Sequence, residues 1–66
     1  MNENLVQGTI RELRRARELL SFYNAIPTGA FGARTIQQAI DQAERAMGEG
    51  DVVEMVRAYG ELKSLR

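Results

Sequence analysis

The chain has no cysteine, no histidine and no tryptophan, a single proline, and only two Phe and two Tyr in 66 residues. Each absence closes a route. Without cysteine, neither a disulfide nor a thiolate metal site can brace a small fold. The same absence is compatible with a reducing compartment, and a cytoplasmic location is expected. Without histidine the usual neutral-pH base is missing, and without either residue so are the thiol nucleophile and most transition-metal sites. Ser21, Ser64, Thr28 and Thr35 therefore have no imidazole to activate them. The expectation is a protein that is not an enzyme and holds no cofactor and no metal.

Long hydrophobic runs are lacking too. No apolar run exceeds three residues, whereas about 20 are needed to cross a bilayer. Neither a membrane partner nor a targeting segment is expected. Net charge is also absent, since nine basic and nine acidic residues cancel. The cancellation is uneven: residues 1–40 carry five basic and three acidic groups, and residues 41–66 carry four and six. Attraction of the whole molecule to nucleic acid or anionic lipid is not expected, which leaves local patches.

What is present is a modest apolar set in one domain, 1–66. Six Leu, four Ile, four Val and three Met join the four aromatic rings, and eight alanines add little area. A chain of this length buries only about 60% of its unfolded surface. Oligomerisation is the remaining source of burial, so a homo-oligomer, most simply a dimer, is expected.

The pattern predicts an all-α domain of three helices, about 4–24, 31–48 and 51–65. The second is the clearest: Ile36, Ala39, Ile40, Ala43, Ala46 and Met47 form a 3.6-residue stripe with polar residues at every position between. Gly48-Glu49-Gly50 ends it. Asp51 with Glu54 opens the third helix, whose expected apolar face is Val52, Val53, Met55, Val56, Tyr59 and Leu62. Gly60 inside that helix suggests a tight packing point. A link of about three residues requires helices 2 and 3 to form an antiparallel hairpin. In the first helix Asn4 and Gln7 form a start signal, and Val6, Ile10, Leu13, Ala16, Leu20 and Tyr23 form the expected inner stripe. A 100° wheel sets Arg11, Arg14, Arg15 and Glu18 opposite it.

Three groups are candidates for function. Leu19, Phe22 and Ile26 make the end of helix 1 apolar nearly all round, and Phe31 stands alone in the following corner. This collar is the expected partner or oligomer surface, with Phe31 acting as an internal plug or as a knob for a partner. Arg11, Arg14, Arg15 and Arg34 are candidate phosphate contacts, which gives the alternative of a nucleic-acid-associated regulator. Glu12 and Glu18 lie among those arginines, however, as on an ordinary solvent-facing helix. Gly29-Ala30-Phe31-Gly32 is a G-x-x-G between two helices, a pattern that can offer amides to an anion. It has no lysine and no neighbouring strand, and Pro27 accounts for the break, with Thr28 or Thr35 as the cap of helix 2. Asp41, Glu44, Glu49 and Asp51 read as a solvated acidic face. The favoured reading is a small non-catalytic interaction or regulatory module acting as a helical homo-oligomer.

Overall fold

The computed structural model describes residues 3–66. It consists of α1 (Leu5–Asn24), α2 (Ala30–Glu49) and α3 (Val52–Ser64), each packed against the other two, and no strand occurs among the described residues. Residues 1 and 2 of the expected domain lie outside the described residues.

The helix boundaries follow from local chemistry. Asn4 caps α1 in a reciprocal box: its side chain accepts from the Gln7 amide at 2.8 Å, and the Gln7 side chain accepts from the Asn4 amide at 3.2 Å. Asp51 caps α3 by accepting from the Glu54 amide at 3.1 Å. Gly50, at φ 67°, takes the left-handed conformation that ends α2 one residue later than expected. The start of α2 differs from expectation. Its N-cap is Gly29, with no side-chain cap, and the Thr35 hydroxyl donates to the Phe31 carbonyl inside the helix.

The core is small and rich in alanine. Leu13 and Ala16 of α1 meet Ile36, Ala39, Ile40 and Ala43 of α2 and Ala58 and Leu62 of α3, with Leu19, Leu20, Tyr23, Met47 and Leu65 packed around them. Small side chains let the helices approach closely, at the cost of a thin body. Principal extents are 38 × 25 × 16 Å. The radius of gyration is 12.1 Å, against about 10.8 Å for a compact chain of this length.

Two expected faces are corrected. In α1 the inner face is rotated toward Gly8, Thr9 and Glu12, which are buried, while Val6 and Ile10 are each 45% exposed. Polar groups replace aliphatic ones there because each is satisfied: the Thr9 hydroxyl donates to the Leu5 carbonyl at 2.8 Å, and Glu12 is held by two arginines. In α3 only Met55, Ala58 and Leu62 are buried, and Val52, Val53 and Val56 face outward. Gly60 is not a packing point, since a Cβ there would meet open space. The close approach is at Gly8 instead, where a Cβ would stand 3.1 Å from Cε1 of Tyr59.

Candidate interaction site

The corner between α1 and α2 is built around Tyr23. Pro27 cannot continue α1, and the Gly29 amide donates to the Ile26 carbonyl at 3.0 Å to close a turn with proline in its second position. Gly29 is buried, and a Cβ on it would come closer than 3.0 Å to the Tyr23 carbonyl oxygen. One turn later, a Cβ on Gly32 would overlap two carbons of the Tyr23 ring. The Tyr23 hydroxyl donates to the Arg66 carbonyl at 2.7 Å. Both glycines of the G-x-x-G thus make room for one tyrosine, its backbone at Gly29 and its ring at Gly32. Their spacing is explained by packing.

Around this fixed corner the apolar collar is open. Phe31 is 84% exposed, Phe22 72% and Ile26 42%, while Leu19 is half-buried against the core. Phe31 is therefore not an internal plug. It forms one lip of an open cleft of about 260 Å³, whose walls include Tyr23, Gly32, Ile36 and Leu65.

The arginines of α1 divide into two kinds. Arg15 reaches α3: its guanidinium donates to the Leu62 carbonyl at 2.6 Å and to the Leu65 carbonyl at 3.0 Å, and Nε donates to Glu12 at 3.0 Å. These carbonyls lie at the end of α3, where Leu62 also accepts from the Leu65 amide at 3.2 Å. Arg11 binds Glu12, Glu3 and, at 3.2 Å, the Tyr59 hydroxyl. Desolvation pushes the Glu12 carboxyl up, but hydrogen bonds and charge from Arg15 and Arg11 outweigh it and hold its pKa below the ordinary value. Hydrogen bonds to Glu12 and then to Tyr59 in turn raise the pKa of Arg11. Arg17 pairs with Glu44 of α2. Arg14 and Arg34 are exposed. The four candidate phosphate contacts are thus not one free face, because Arg11 and Arg15 join α1 to α3.

The acidic residues of α2 are likewise not a cluster. Glu44 faces Arg17, Asp41 accepts from Gln37 at 2.8 Å, and no group of three metal-ligating side chains occurs among the described residues. A second depression, between Gln42, Arg45, Ala46 and Glu49 of α2 and Glu54 of α3, is open and charged. No described helix is long and apolar enough to cross a membrane.

The fold and corner define a small all-α three-helix domain with an uncovered aromatic edge. No protein-family model matches this chain, and no curated protein or solved structure matches it either.

Proposed function

We propose that this chain is a non-catalytic interaction or regulatory module acting in the cytoplasm as a helical homodimer, with Leu19, Phe22, Ile26 and Phe31 as its partner surface. The observation that carries the reading is the exposure of Phe22 and Phe31, at 72% and 84%, on either side of a corner whose backbone Tyr23 holds in place. Aromatic side chains carry a large apolar area and are favoured at the centres of interfaces.

The total surface is large for the mass, and the outward Val52, Val53 and Val56 share in it beside the collar. The chain exposes 4781 Å², against about 4,200 Å² expected for a compact monomer of its mass. Within the protomer, α2 and α3 are read as an antiparallel hairpin. Glu54 at the start of α3 lies beside Ala46 and Glu49 near the end of α2, and Leu65 shares a cleft with Ile36. The alternative, a nucleic-acid-associated regulator, is weakened because Arg11 and Arg15 are occupied within the chain.

Sedimentation tests the proposal. The wild-type chain should run at about twice its 7.4 kDa, and Phe22→Asp should run as a monomer with a lower melting temperature. A wild-type monomer at high micromolar concentration sinks the reading.

A further inference from the structure

We infer that residues 64–66 are a strap that closes one side of the corner cleft and opens as a unit when two latches on α1 release it. The inference does not depend on the homodimer reading, since every contact it uses lies within one chain. The cleft, of about 260 Å³, has Tyr23, Phe31 and Ile36 on one side and Leu65 and Arg66 on the other. That second side is built by residues beyond the end of α3.

The chain leaves the helix there for a reason that lies in α1. Residues 61–66 contain no glycine or proline, yet Leu65 turns to extended backbone at φ −70° and ψ 139°. Leu65 is half-buried against the core, and two side chains of α1 hold the backbone around it. The Arg15 guanidinium donates to the Leu65 carbonyl at 3.0 Å, and the Tyr23 hydroxyl donates to the Arg66 carbonyl at 2.7 Å. These two bonds are the latches.

Anchor and latches differ in depth. Leu62 is fully buried, and the Lys63 ammonium lies 5.4 Å over the Tyr59 ring, so the motion stops there. The Arg15 side chain is 42% exposed, and the Tyr23 bond faces solvent. A hydrogen bond that water can replace contributes little net, and a segment with few buried contacts opens more readily than the whole fold. Opening lifts Leu65 from the core and removes one wall of the cleft, which bares the Tyr23 ring and Ile36. Tyr23 also sets the corner, through its ring beside Gly32. The strap therefore governs how much apolar surface the corner shows to water. Simple fraying from the end of the chain would not link Arg15 to Tyr23.

Because the sequence has no cysteine, Leu65→Cys gives a single thiol whose labelling rate reads the opening. Adding Tyr23→Phe or Arg15→Gln should raise that rate about five-fold each. In the chain with Leu65 intact, exchange of the Leu65 amide should accelerate by a similar factor in Tyr23→Phe. By nuclear magnetic resonance, Arg15→Gln should shift the Tyr23 ring signals, although Arg15 does not bond to Tyr23. The labelling rate should also rise far less steeply with urea than global unfolding does, since a strap exposes little surface. A rate that climbs with urea as global unfolding does overturns the strap. So do Tyr23 ring signals that Arg15→Gln leaves unmoved, or a Leu65 amide and thiol indifferent to Tyr23→Phe.

Discussion

The ring of Tyr23 occupies the space that a side chain at residue 32 would need, so Gly32 and Tyr23 specify each other. The same alanine substitution should therefore have opposite signs at two glycines. Gly32→Ala forces the ring away and should destabilise by roughly 1–3 kcal/mol. Gly60→Ala enters open space within a helix and should stabilise by roughly 0.5–1 kcal/mol. Thermal melts of the two variants decide the matter, and a fall at Gly60 or a rise at Gly32 would contradict the packing described.

Gly29→Ala should be worse than Gly32→Ala. Its Cβ meets the Tyr23 backbone carbonyl, which cannot swing aside as a ring can. The melting temperature should rank wild type above Gly32→Ala and Gly32→Ala above Gly29→Ala.

Much of the fold was legible because its signals are local. Asn4, Asp51, Pro27 and Gly50 act on amides and carbonyls within a few residues, and the α2 stripe from Ile36 to Ala46 is buried as its period requires. Non-local chemistry was not legible. Glu12 reads only as a charge among the helix 1 arginines, and only the folded chain brings Arg15 and the end of α3 to it. Gly8 gave no signal distinct from Gly60, because what separates them is the Tyr59 ring. In the corner, the exposure of Phe22 followed from the sequence, whereas the purpose of Gly29 and Gly32 did not.

The Glu12 cluster sets an acid limit. Its folded pKa lies below the unfolded value of about 4.3, so its contribution is fully present above that pH and is lost as pH falls through the folded pKa. Glu12→Gln should cost roughly 1–2 kcal/mol at pH 7 by weakening two charge-assisted bonds. Denaturant midpoints for the two proteins should converge as pH falls below about 4. Parallel curves would show that Glu12 is not the coupled group.

Arg14 and Arg15 should behave differently despite being neighbours. Arg15→Ala releases the Leu62 and Leu65 carbonyls and one side of Glu12, and should cost roughly 1–2 kcal/mol with faster amide exchange at the end of α3. Arg14→Ala, at an exposed position, should stay within about 0.5 kcal/mol of wild type. Steep, salt-dependent DNA or RNA binding that Arg14→Ala abolishes would instead revive the nucleic-acid reading.

The 16 Å thickness of the molecule has an electrical consequence. A body this thin leaves the arginine ends of the Glu12 cluster in water, with Arg11 50% and Arg15 42% exposed. Salt should therefore weaken those outer ends, while the buried Glu12 carboxylate between them is screened much less.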